Sequence, residues 1–312
     1  MSAPPTRLKA ALQTLGHTGA LKDGTVRVAG FELEFEEVPA IIQAFRRMVR
    51  GLEFDVSEMA LTTYITARAH DKRVTALPIF LVRAFHHGAI LCNTTQGIRG
   101  PKDLEGRRVG VSRGYTVTTG VWARSILQHE HGVDLSRVTW VLSGDEHVEE
   151  YRAPANVVRL ERGKTLQDAL VAGELAATIG VQVVHPDVAP LIPDAEEAGF
   201  RALARDGHYP INHLLVVKDT VLETHPHLAD RLFEAFTAAK RPYLERLGAG
   251  IAEPTKADQV YRRVLDSTGR DPLPYGIEPN RPMVAALIRY AQEQQIISHP
   301  FEVDELFTRG NS

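Results

Sequence analysis

Cysteine is nearly absent from this sequence. Cys92 stands alone among 312 residues, so no intramolecular disulfide can form and the fold has no need of an oxidising compartment. An excess of one charge is missing too: 36 Lys and Arg face 39 Asp and Glu, for a formal net charge of -3. Such a chain has no general attraction for nucleic acid or for an anionic membrane, and any cationic function must be local. No apolar run approaches the roughly 18–20 residues that span a bilayer. The opening stretch Leu8-Lys9-Ala10-Ala11-Leu12 is too short and too interrupted for a secretory segment. A protein that stays in the cytoplasm, without nucleic-acid or membrane partners, is the expectation. Also lacking are Gly-x-Gly-x-x-Gly, a phosphate loop and a Gly-x-Ser-x-Gly elbow, which removes the usual supports for nucleotide-dependent and serine-nucleophile chemistry. Thirteen histidines are present, yet none forms a His-x-x-x-His pair. His225 and His227 stand one residue apart beside Pro226, and no metal is expected.

What is present is an alternation of strand and helix patterns over a length sufficient for two cores. Thr25–Val28 followed by Phe31–Phe35 alternates apolar and polar residues and reads as a hairpin closed near Gly30. Ile41, Ile42, Phe45, Met48 and Val49 recur at helical spacing up to Gly51, where a C-cap is expected. Strand patterns at 107–111, 138–142, 176–179 and 214–217 alternate with helices at 118–131 and 165–172, and this favours mainly parallel sheets. Residues 226–247 and 282–295 read as long amphipathic helices. The short strands Ala89–Cys92 and Leu214–Val217 are the candidate crossings. They divide the chain into one discontinuous lobe, 1–86 plus 214–312, and a second, 87–213.

Several segments resemble the 4,5-dihydroxyphthalate decarboxylase family. They are Arg46-Arg47-Met48 through Phe54-Asp55-Val56-Ser57-Glu58-Met59; Arg83-Ala84-Phe85-His86-His87-Gly88-Ala89-Ile90; Asp103–Val111 with Tyr115, Thr118 and Trp122–Arg124; Tyr209–His213; and Tyr275-Gly276-Ile277-Glu278-Pro279-Asn280. The resemblance implies a type II periplasmic-binding-protein-like fold with two α/β lobes, two crossings and a ligand between the lobes. It further implies cofactor-free decarboxylation of 4,5-dihydroxyphthalate to protocatechuate. The chain departs from the family pattern at Leu77–Val82, at Gly88 and at Ala176, which leaves a related aromatic hydroxy acid open. A solute-binding protein for a small aromatic carboxylate is the alternative on the same scaffold, and a homo-oligomer is allowed.

Removing a carboxylate from an electron-rich ring needs an acid facing the ring carbon, a group that polarises a hydroxyl, and cations for the carboxylates. Arg83 is the first choice for a carboxylate clamp, because guanidinium matches a carboxylate bidentately. His86 and His87 are adjacent, so in an extended segment they face opposite ways; His87 is taken as the proton donor and His86 as a substrate contact. Glu58 and His213 complete the proton-handling set, Glu58 orienting a histidine or accepting a phenolic proton. The plainer readings are a helix-start carboxylate and a satisfied core histidine. Tyr115, Thr118 and Thr119 precede or open a helix and are assigned to an anion, with simple N-capping by the threonines as the competing role. Arg113 adds local charge, Tyr275 and Glu278 enter through the family motif, and His17 is a further candidate.

Overall fold

The computed structural model describes residues 4–308. They cluster into two compact units. Unit 1 takes the described residues up to Ala84, Ile211–Pro282 and those from Phe301 onward; unit 2 takes Phe85–Pro210 and Met283–Pro300. The first two changes of unit fall a few residues ahead of the strands read as crossings, and each of those strands lies wholly inside one sheet. Met283–Pro300, assigned to the first lobe from sequence, clusters with unit 2.

Unit 1 opens with β1 (Thr6–Ala11), one turn of helix α1 (Gly19–Lys22) and β2 (Phe31–Phe35). The expected hairpin is not formed. Residues 25–28 make no strand, and β2 lies parallel to β1, with Thr6 opposite Phe31 and Ala10 opposite Phe35. Alternation reports a half-buried strand but not its partner; the turn of α1 supplies the crossover that a parallel pair requires. Helix α2 (Ile41–Gly51) buries Phe45, Met48 and Val49, and the residue that turns left-handed is Leu52, φ 50°, rather than Gly51. β3 (Val56–Ala60), α3 (Leu61–Ala69) and β4 (Val74–Arg83) follow.

Unit 2 holds β5 (Ile90–Asn93), β6 (Arg108–Val111), α4 (Thr118–His129), β7 (Thr139–Leu142), β8 (Val157–Arg159), α5 (Leu166–Val171), β9 (Ala177–Ile179), β10 (Val188–Pro190) and α6 (Ala195–Asp206). The sheet order is β10-β5-β9-β6-β7-β8. The run from β9 to β8 is parallel, and β5 is antiparallel to both of its neighbours. Gly110 lets α5 close onto β6, since a Cβ there would come within 2.6 Å of Leu166 and 2.9 Å of Leu175.

The chain then returns to unit 1. β11 (Ile211–Lys218) inserts antiparallel between β3 and β4, giving the order β2-β1-β3-β11-β4. Helices α7 (Asp219–Thr224), α8 (Leu228–Ala249) and α9 (Lys256–Thr268) follow. Leu228, Leu232, Ala235, Phe236 and Ala239 of α8 seal the sheet's core against Leu77, Ile79, Leu215 and Val217. α9 begins with a capping box: the Asp258 N–H donates to Thr255 Oγ1 at 3.1 Å, and the Thr255 N–H donates to the Asp258 carboxylate at 2.9 Å. Helix α10 (Arg281–Glu293) runs into unit 2, where Tyr290 meets Trp122 edge-on at 5.7 Å. No helix of the described residues is long and apolar enough to cross a membrane.

Candidate functional site

Strand directions in unit 1 bring chemistry to one edge of its sheet. β1, β3 and β4 end there, and β11, running the other way, begins there. The carboxyl edge of parallel strands is where open α/β sheets bind ligands. Glu58 lies opposite Leu215, so His213, two residues earlier, sits diagonally across from Glu58 on the same face. The β11–β4 register slips on both sides of His213, a bulge that re-aims a side chain. The result is a short bond of 2.6 Å between His213 Nδ1 and Glu58 Oε1. Gln13, just past β1, donates its N–H to Glu58 Oε2 at 2.9 Å and its Nε2 to Oε1 at 3.0 Å. Glu58 is fully buried, whereas the His213 side chain keeps 18% of its surface and packs edge-on to Phe45 at 5.0 Å. With Nδ1–H given to a carboxylate, Nε2 is the nitrogen left to exchange a proton.

Arg83 ends β4 and is buried; its Nη2 donates to Asn280 Oδ1. Asn280 in turn donates Nδ2 to the carbonyls of Pro274 at 2.9 Å and Gly276 at 2.7 Å, tying the Tyr275–Asn280 segment to this edge. Beside it, Lys240 projects from the buried stripe of α8, donating to Asp271 Oδ2 and Leu273 O, both at 2.6 Å, and standing 3.7 Å over the Tyr275 ring. Burial drives Lys240 below the ordinary lysine value against the pull of Asp271. The Tyr275 hydroxyl is buried without a hydrogen bond, and burial raises its pKa well above the ordinary tyrosine range. Glu278 is elsewhere in character: 78% exposed and paired with Arg281 at 2.5 Å, it is a surface carboxylate rather than a substrate contact. His17, past the end of β1, is 2% exposed, and its Nε2 has no hydrogen-bond partner.

In unit 2 the loop after β6 carries Arg113 and Tyr115. Arg113 holds a left-handed backbone, φ 68°, that a non-glycine residue adopts only under constraint. Its Nε is buried without a partner, and burial lowers its pKa. The amides of Tyr115 and Thr116 are spanned by a carboxylate of the protein itself, Glu146, which also accepts from Thr116 Oγ1 at 2.7 Å. Behind them, fully buried Arg124 donates Nη2 to Tyr115 O at 2.7 Å and Nε to Gln294 Oε1 at 2.8 Å, with its guanidinium 3.8 Å over the Tyr115 ring. Thr118 and Thr119 are the first helical residues of α4, and the cap is Val117, without a side-chain bond. Neither threonine therefore caps the helix, because a hydroxyl inside the first turn is past the position from which it could accept from the leading amides.

His86 is buried at the entrance to a short 3-10 turn, His87–Ala89. His87 is wholly buried and engaged through Nε2 with Glu130 at 3.1 Å, just after α4. Burial alone would raise the Glu130 carboxyl; the bond from His87, helped by nearby Arg205, outweighs it and holds Glu130 below its ordinary value. The structure thus joins Glu58 with His213 and makes His87 one half of a different, interior pair. Gln13, Asn280, Lys240, Glu130 and Glu146 were not singled out from sequence. Lys240 was legible as a lysine within the α8 apolar stripe and Asn280 as the last residue of the family motif; the others carry no local signal. Among the described residues no three His, Cys, Asp or Glu side chains converge as a metal-ligand set.

No family model matches the chain. Among solved structures, the alkanesulfonate-binding protein SsuA from Xanthomonas axonopodis covers 99% of this chain, and the match covers 100% of SsuA, with a TM-score of 0.54 at 16% identity. That likeness shows the periplasmic-binding-protein fold. Among curated proteins, the 4,5-dihydroxyphthalate decarboxylase of Pseudomonas putida is 33% identical over 206 residues, covering 59% of this chain and 77% of the relative. The 4,5-dihydroxyphthalate decarboxylase of Comamonas testosteroni is 31% identical over 310 residues, covering 92% of each chain. With a match of that reach, the chain belongs to the 4,5-dihydroxyphthalate decarboxylase family.

Proposed function

We propose that the protein decarboxylates 4,5-dihydroxyphthalate to protocatechuate using its own side chains, with the Glu58–His213 pair moving the proton. In this substrate each carboxylate lies para to a hydroxyl, whose lone pair lends density to the ring carbon that must be protonated. His213 gives the Nε2 proton to that carbon; the bond to the carboxylate then breaks, carbon dioxide leaves and the ring regains aromaticity. One proton is consumed per turnover, so the donor must be recharged from water. The partly exposed His213, backed by a fully buried carboxylate, suits that duty. Arg83, tethered by Asn280, supplies fixed positive charge for the carboxylate that is retained. The observation that carries the reading is the 2.6 Å bond between Glu58 and His213 with Gln13 holding the carboxylate from two sides.

The test is incubation of the purified protein with 4,5-dihydroxyphthalate in D2O, following carbon dioxide and the aromatic product. Protocatechuate carrying deuterium at the carbon that lost its carboxylate is expected. His213→Asn should lower kcat by about 10²–10⁴-fold, the range for losing a positioned acid or base. Recovery of the acid unchanged after long incubation with folded protein would overturn the reading in favour of a binding role.

A further inference from the structure

His17 is left over once the proton pair and the cation are assigned. It is 2% exposed. Its Nε2 is buried without a hydrogen-bond partner, and the nearby Leu81 backbone carbonyl favours a proton on the ring. The Tyr243 ring stands 5.6 Å away in a tilted arrangement, and the space on that side is filled: a Cβ on neighbouring Gly16 would come within 2.4 Å of it. Burial first, and then the nearby charge of Lys240, push His17 down to about 4 despite Glu58, so the ring is neutral near pH 7. A neutral imidazole carries its proton on one nitrogen and presents a bare lone pair on the other. Buried polar atoms of folded proteins are satisfied in the great majority of cases, and an unpaired acceptor is a place for a donor that arrives with a ligand. His17 also lies four residues past Gln13, which grips Glu58, and Glu58 is the first charge that His17 feels after burial.

We infer that His17 Nε2 is the hydroxyl-recognising atom of this enzyme, accepting a hydrogen bond from a phenolic hydroxyl of the substrate and thereby selecting hydroxylated aromatic diacids over the unhydroxylated diacid. The inference rests on the aromatic-acid reading above. A carboxylate cannot donate to this nitrogen, and an apolar ring edge leaves it unpaired, so only an O–H or N–H donor repays its burial. The same bond draws the hydroxyl proton outward and strengthens the oxygen's push of electrons into the ring as the para carbon is protonated.

The experiment compares wild type, His17→Leu and His17→Gln using kcat/KM for 4,5-dihydroxyphthalate, the inhibition constant of plain phthalate, and equilibrium binding of both acids. Leu removes the acceptor; Gln offers a carbonyl oxygen near the position of Nε2. His17→Leu should lose about 10- to 100-fold for the dihydroxy acid, the cost of an unmade buried hydrogen bond, while phthalate stays within about threefold or binds tighter. His17→Gln should recover most of the preference. A structural defect would weaken both acids together, and that result, or no change in either, overturns the inference. If wild type binds both acids but releases no carbon dioxide, the decarboxylase reading fails while the binding ratios still decide the role of His17. Independently of any variant, the His17 Nε2 resonance in ¹⁵N spectra of wild type should move on adding the dihydroxy acid and stay put on adding phthalate; equal response to both refutes it.

Discussion

Acid should destabilise unit 1 through His17. His17 is neutral in the folded protein down to about pH 4, whereas in the unfolded chain it titrates near 6.5. Between those values the unfolded state binds the extra proton, so stability rises with pH across the window and falls as the solution is acidified through it. At about 1.4 kcal/mol per pH unit, acidification from neutrality to pH 4 should remove about 3 kcal/mol, with little further change below. His17→Gln has no such titration and should lack this component. Trp122 and Trp140 both lie in unit 2, so tryptophan fluorescence is the wrong reporter. Denaturant unfolding followed by far-UV circular dichroism, with hydrogen exchange of the β1 and β3 amides, reads unit 1. Equal loss of stability in wild type and His17→Gln between pH 7 and pH 4 would show that His17 is hydrated or charged in the folded state and would refute the argument.

Glu58→Gln should leave the fold intact yet reduce kcat by about 100-fold or more, because the group that fixes the His213 tautomer is gone; steady-state turnover with circular dichroism as control decides it. Arg124→Met should destabilise unit 2 by about 2–4 kcal/mol, since the Tyr115 carbonyl and the Gln294 amide oxygen lose buried donors, and here tryptophan fluorescence is the proper monitor. Thr255→Ala should cost about 1 kcal/mol by removing one half of the α9 capping box, seen as a lowered denaturant midpoint without loss of turnover.

Between Arg107 and Leu247, buried strands and apolar helix stripes leave periodic marks, and the seven segments read from them lie within three residues of observed elements, whereas β8, β10, α6 and α7, short or largely exposed, left no mark that was read. Strand partners were not legible: Phe31–Phe35 alternates in the same way whether it closes a hairpin or lies parallel to β1. The site divides along the same line. Glu58 and His213 lay in segments resembling the family, but their diagonal pairing depends on β11 passing between β3 and β4 with a register slip against β4, which no local pattern encodes. His87 was read as a proton donor from its imidazole chemistry, and its partner Glu130, 43 positions away, left no local signal. Glu146 was invisible for a related reason, since a carboxylate that satisfies two distant amides looks in sequence like any surface acid.

The insertion of β11 between β3 and β4 bears on how the protein is made. As the chain leaves the ribosome, β3 and β4 emerge early but are not neighbours in the finished sheet; each waits with an unpaired edge until all of residues 85–210 have followed. Unpaired edges of this kind recruit other strands. Nascent chains arrested before Ile211 should therefore lean on chaperones or aggregate, and release of β11 should relieve that dependence sharply. The two outer partners of that strand are completed by the same eight residues that bring His213 beside Glu58, so the protein closes its first sheet and assembles its proton pair in one event.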